Sequence, residues 1–368
     1  MEPSSLTEIA EGIDIPCELR MPSDPPPWLD KERFYRGQEF FRLNPISVLD
    51  SNYYNLVIGL SVSNLCDILV LTQRSETRKK ALWRYMETVC YMKKWLLGPP
   101  PWQEDSAYRT VNEYHIKAAN SFRNMTKEER REAAIKKLTE LDEEDKMAVN
   151  EDIDRVLLKS IKDYKNQNVQ HYPIYERYMR SDVAFSQFDM AMVQTAFFAS
   201  LVGFPNHFGA GSCSRESLED FLHLWRVIGY YLSVEDRFNP VRPRYEDTRA
   251  LLEEIVEEIL KPSLLNLNET SLHMAKCVTL CNNSDYHLLM YNYFLCHHGV
   301  NLEYLWNKFS WSQKFQYYWR KFFMEWIYCL PLVRQFMSRS CIKVMERMHM
   351  RLKRVPPAVG DENSGNGM

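Results

Sequence analysis

Residues 217–239 read SLEDFLHLWRVIGYYLSVEDRFN, and their spacing decides the fold class. Leu218, Phe221, Leu222, Trp225, Ile228 and Leu232 recur at intervals of three and four, the core stripe of a single helix face. Ser214 stands ahead of the run as its cap. A second stripe, Glu219, His223, Arg226 and Tyr230, lies beside the first. A histidine and an arginine one turn apart next to an apolar face have two physical uses. They satisfy buried helix ends and a carboxylate, or they bind a metal or the anionic edge of a cofactor. Spacing alone leaves both open.

Two further segments share the helical period. After Ser106, AYRTVNEYHIKAANSFR sets Tyr108, Val111, His115, Ala118 and Phe122 on one inward stripe, so the pattern places His115 among apolar neighbours. Such a histidine is a hydrogen-bonded core residue or a ligand. The segment SQFDMAMVQTAFFASLVGF, 186–204, reads as one helix capped by Ser186 and rich in Met and aromatics. Gln194 shares a face with Met190 and Phe197, which predicts a buried amide that must be hydrogen-bonded.

No convincing hairpin signal and no repeat of constant period interrupts this patterning. The expected architecture is all-α, a single multi-helix domain over residues 31–354. Residues 1–30, ending in PSDPPPW, read as a proline-containing arm draped over the surface. Residues 123–165 hold 23 charged side chains among 43, which predicts a solvated helical insertion projecting from the core. Residues 355–368, PPAVGDENSGNGM with the preceding Val355, read as a disordered tail.

Composition excludes several chemistries. Glycine numbers only 12 in 368 residues, and neither a dinucleotide fingerprint nor a phosphate loop occurs. The net charge of −3 gives no footprint for nucleic acid. His-Glu-x-x-His, a Gly-x-Ser-x-Gly elbow and paired Glu-x-x-His motifs are all absent. The adjacent His297 and His298 would point in different directions on a helix. Nine scattered cysteines and a start without a secretory leader predict reduced thiols in an intracellular, unsecreted chain, cytoplasmic or peripheral on an internal membrane. The most apolar run, YYNLVIGLSVSNLCDILVLT from Tyr53, carries Asn64 and Asp67 and reads as a buried core helix.

The C-terminal region has its own signal. From Phe315, apolar residues recur at Tyr318, Trp319, Phe322, Phe323, Trp326 and Ile327, followed by a break or kink at Pro331. Residues 334–354 carry seven Lys or Arg against the single acid Glu346. A basic amphipathic segment beside an aromatic helix, 314–354 in all, suits an anionic membrane surface or closes the core of the bundle.

Together, the helix around Tyr114-His115, the segment from Ser186 and the stretch from Ser217 resemble the family of the rubber-cleaving latex-clearing oxygenases and the endoplasmic-reticulum-bound oxygenase of mycophenolic acid synthesis. Its His-x-Trp-Arg-x-x-Gly signature and acidic, Asn-containing turn are matched by His223, Trp225, Arg226, Gly229 and Asn239. The resemblance covers roughly residues 83–239 and implies an all-helical fold holding haem b. It further implies oxidative cleavage of a double bond in an apolar, isoprenoid substrate. By this carry-over His115 is the first candidate iron ligand and a catalytic residue, and His223 the second candidate ligand. Arg226 answers a propionate or an oxygen intermediate, Gln194 and Trp225 line the cofactor, and His207 is a fallback ligand. The chain departs from the family at Asn112, where many members carry arginine, and at Val193-Gln194-Thr195, where the rubber-cleaving members place a histidine. Two other classes stay open: a non-catalytic helical scaffold that lost the haem, and a non-haem iron oxygenase using Glu219 or Asp220 with two histidines.

Overall fold

The computed structural model describes residues 6–146, 153–279 and 286–352, and among these the regular elements are all helical. Numbering the helices of nine residues or more, the chain opens with α1 Lys31–Leu43, α2 Pro45–Gly59, α3 Ser63–Leu71, α4 Arg78–Leu97 and α5 Ser106–Phe122. It continues with α6 Lys127–Thr139, α7 Ile153–Gln167, α8 Gln187–Thr195, α9 Arg215–Tyr231 and α10 Tyr245–Ile255. The last third holds α11 Glu269–Thr279, α12 Tyr286–His297, α13 Trp311–Phe322 and α14 Pro331–Leu352. The fold is all-α, as the periodicity predicts.

Local chemistry sets the boundaries. Ser186 and Ser310 close capping boxes with Asp189 and Gln313, and Ser214 accepts from the Ser217 amide. Pro331 opens α14 instead of kinking a continuous helix, in keeping with the fixed φ of proline at a first turn. Ser106 is itself the first helical residue of α5, not its cap. The segment 186–204 is not one helix: α8 stops at Thr195, and a short helix, Ala199–Gly203, follows.

The core forms around α9. Leu218, Phe221, Leu222, Trp225 and Ile228 are all buried. Asp220, beside that stripe, receives Arg36 Nε at 2.6 Å and Nη2 at 3.1 Å, and Arg33 Nε at 3.1 Å. This pairing seats α1 on α9, and Gly37 lets the two backbones touch. A Cβ at position 37 would stand 2.5 Å from the Asp220 carbonyl oxygen and 2.7 Å from Leu224 Cβ.

Two expectations about the periphery are corrected. The N-terminal arm does not drape over the surface. Leu6–Ala10 is helical, Leu6, Ile9 and Ile13 are buried, and Cys17 N–H donates to the Phe185 carbonyl at 2.8 Å. Its apolar residues fall three and four apart, which suits core packing better than solvent.

Nor does the charged insertion project. Ala134, Leu157 and Ile161 are buried, and Arg130 Nη1 donates to the Met125 and Asp182 carbonyls at 2.7 and 2.8 Å. The fully buried Asp154 pairs with Lys276 of α11. The charges of α6 and α7 cover the outer faces of helices whose narrow apolar stripes are satisfied by the core. The C-terminal tail lies outside the described residues.

The apolar run from Tyr53 is two helices, α2 and α3, bent by 96°. Among the described residues no single helix is long and apolar enough to cross a membrane. The eight described cysteines are all free thiols.

Overpacking at a backbone contact cannot relax by side-chain rotation. Gly37→Ala should therefore lower the unfolding free energy by about 1–3 kcal/mol, read as a shifted denaturant midpoint by circular dichroism.

Candidate functional site

The candidate site is built on α4 and α5. Trp95 of α4 stacks on Tyr108 of α5 with ring centroids 5.7 Å apart, and Tyr108 meets Tyr231 at the end of α9 at 5.8 Å. One turn further along α5, the buried Asn112 donates its Nδ2 hydrogen to the Tyr231 carbonyl at 3.0 Å. These contacts fix the rotation of α5, so the stripe from Tyr108 to Phe122 faces inward and carries His115 with it.

His115 has no hydrogen-bond partner among the described residues at either ring nitrogen, and its Nδ1 is fully buried. Its ring stands 6.0 Å from that of Phe185. Burial, and then the positive charge of Arg84, push its pKa down to about 4, so the imidazole is neutral at physiological pH.

Arg84 is the residue that the sequence reading missed. Its Nη1 donates to Thr72 Oγ1 at 2.9 Å and reaches Ser75 Oγ at 3.5 Å, and no described carboxylate comes within ion-pairing distance. Burial pulls the guanidinium pKa below its usual value. A signal was present: Arg84 falls on the stripe of α4 that buries Ala81, Met92 and Trp95. A charge on a core stripe needs a partner, and here the protein supplies only hydroxyls.

On α8 one apolar side chain departs from the burial of its neighbours. Val193 is 38% exposed while the other eight residues of that helix are buried. Thus the position that departs from the resembling family carries a small side chain with accessible surface.

The remaining predicted residues form other clusters. His223 and Arg226 face the proline-containing arm, not His115. His223 Nε2 lies 3.2 Å from the Asp30 amide and 3.0 Å from its carbonyl oxygen. Trp28 meets the His223 ring edge-on at 5.9 Å and lies 4.0 Å from the Arg226 guanidinium, whose Nη2 donates to Asp236 at 2.8 Å. Burial, then Arg33, push the His223 pKa down to about 4.

Gln194 is buried and hydrogen-bonded, as its position on the stripe predicts. Its Nε2 donates to the Trp225 carbonyl at 2.9 Å and to Asn239 Oδ1 at 3.2 Å. Trp225 stacks on Phe197 at 4.9 Å. The matched signature therefore works as a bracket between α8, α9 and the turn at Asn239.

His207 sits elsewhere, against α13. It stacks on Tyr293 at 4.7 Å, and its Nε2 lies 3.0 Å from Arg320 Nη1. Burial, then Arg320, push its pKa down to about 3. Asp220 is held by two arginines and Glu219 pairs with Arg215 at 3.0 Å. Among the described residues no three His, Cys, Asp or Glu side chains group as metal ligands.

No family model, curated protein or solved structure matches this chain.

The neutral histidines set a pH dependence. The folded-state pKa values of His223 and His207 lie below the ordinary 6.5, so the unfolded chain binds more protons between that value and about 4 or 3. Their contribution to stability is present above pH 6.5 and is lost as pH falls through this window. His223→Gln should flatten that loss, measured as denaturant midpoints from pH 7 to pH 4.

Proposed function

We propose that this chain is a haem-dependent oxygenase that cleaves a carbon–carbon double bond in an apolar, isoprenoid-like substrate, with His115 and Arg84 as its centre. The observation that carries the reading is His115, whose buried Nδ1 has no partner and whose imidazole is held neutral by burial and by the charge of Arg84, an arginine that no described carboxylate pairs. A buried polar atom left unsatisfied costs about 1–3 kcal/mol, so this arrangement favours a ligand that takes up both groups.

The chemistry of these two side chains supports haem b as the ligand. His115 would hold the iron through its free lone pair, since only neutral imidazole ligates. Arg84, seated by Thr72 and Ser75, would receive a propionate carboxylate. When bound, the haem supplies the site at which dioxygen is activated. In this reading Gln194, Trp225, His223 and Arg226 are positioning residues, because their polar contacts run to other parts of the protein.

A second reading has its own support. The signature residues are spent on packing, with Arg226 on Asp236 and Trp28 and Gln194 on Asn239. A non-catalytic scaffold that retained the fold without haem would keep these contacts for the same structural reason.

Absorption spectroscopy separates the two. Protein expressed with ample haem precursor should show a Soret band, which His115→Ala removes or shifts and His223→Gln leaves in place. Arg84→Met should weaken haem retention by about tenfold, a loss of one charge-assisted hydrogen-bonded partner. A flat visible spectrum from folded protein, with no haem taken up on titration, would overturn the enzyme and leave the scaffold.

A further inference from the structure

The helix α13 is amphipathic in the opposite sense to the core helices. Its inward face carries polar groups. The Arg320 guanidinium pairs with Asp50, its Nη1 lies 3.0 Å from His207 Nε2, and Tyr317 packs between Tyr293 and Trp306. Its outward face carries the aromatics. Trp311 is 88% exposed, Phe315 67%, Trp319 52% and Phe322 48%.

A π-helical turn, Phe323–Ile327, extends this surface to Trp326, 68% exposed, and the start of α14 adds Leu332 and Phe336 at 81% and 72%. Positions 311, 315, 319, 322 and 326 follow one helical stripe. Phe315 stacks on Trp319, and Trp319 meets Phe322 at 6.0 Å, so the rings form a continuous apolar ridge. Folding has turned an arginine inward and left these rings to solvent. Contiguous apolar surface of this kind on a soluble protein marks a contact site.

Charge selects the occupant. On α13, the π turn and α14 up to Met348, the cations outside the core are Lys314, Lys321, Arg334, Arg339, Lys343 and Arg347. The acids there are Glu325, which faces His207 at 3.4 Å, and Glu346. A second copy of the chain would bring like charges together. An anionic bilayer accepts both features: tryptophan and phenylalanine at headgroup depth, with lysine and arginine against the lipid phosphates and carboxylates.

We propose that α13, the π turn and the first turns of α14 form a monotopic docking face that inserts its aromatic ridge into the interface of an anionic membrane. This inference stands apart from the haem reading, since the two share no residue.

Vesicle flotation of the full chain tests it, using phosphatidylcholine alone and phosphatidylcholine mixed with phosphatidylserine. The chain should float with the anionic vesicles. The triple variant Phe315→Ser, Trp319→Ser, Trp326→Ser should bind at least about tenfold more weakly, with unchanged circular dichroism because the three side chains are exposed. Lipids brominated near the headgroup should quench tryptophan emission in the wild type, through Trp311, Trp319 and Trp326, and spare it in the triple variant. Arg339→Glu with Lys343→Glu should remove the preference for phosphatidylserine.

Folded wild-type protein that stays unbound at low salt would overturn the proposal, as would binding that the triple variant leaves intact. A wild-type dimer that the triple variant converts to monomer would assign the face to a second copy instead.

Discussion

The whole arrangement depends on how closely α9 approaches its two neighbours. At Gly37 the backbone of α1 lies against the Asp220 carbonyl, and at Gly229 the Gln194 side chain of α8 fills the space that a Cβ would occupy. Neither approach is open to a larger residue. Close packing makes the polar contacts short: Asp220 to Arg33 and Arg36 on one side, Gln194 to the Trp225 carbonyl and Asn239 on the other. Once α9 is held this way, its last turn fixes Tyr231, and Tyr231 fixes α5 through Tyr108 and Asn112.

That chain of contacts gives the molecule two distinct polar clusters where the one-dimensional pattern suggests one. His223 and Arg226 look toward Trp28 and Asp30 and are satisfied there. His115 has no hydrogen-bond partner, and Arg84 has hydroxyl partners but no carboxylate among the described residues. Both histidines are neutral for the same first reason, burial, yet their chemistry differs. A histidine with a backbone partner is a fastener, whereas an unpartnered neutral imidazole can still take a ligand.

The same logic applied at the surface gives α13 its character. Apolar side chains and charged ones compete for the interior, and burial favours the apolar set by about 25 cal/mol for each Å² removed from water. On α13 the competition is reversed, because Arg320 pairs with Asp50 on the inward side while the aromatic ridge stays about half exposed or more. Such an inversion persists where the outward face meets an apolar phase of its own.

The sequence by itself determined the helical class, the stripe of α9, the inward position of His115 and the burial of Gln194. Each follows from a period of 3.6 residues and the cost of leaving apolar surface in water, which are local properties of the chain. Only the tertiary structure decided how the helices meet. It docked the N-terminal arm through Leu6, Ile9 and Ile13, and it seated the charged insertion through Asp154 and Lys276. It also brought the charge of Arg84 within electrostatic reach of His115 and set His223 and Arg226 against Trp28 and Asp30. Periodicity gives the face on which a residue lies but not what stands opposite, and that partner is set by packing between segments far apart in the chain.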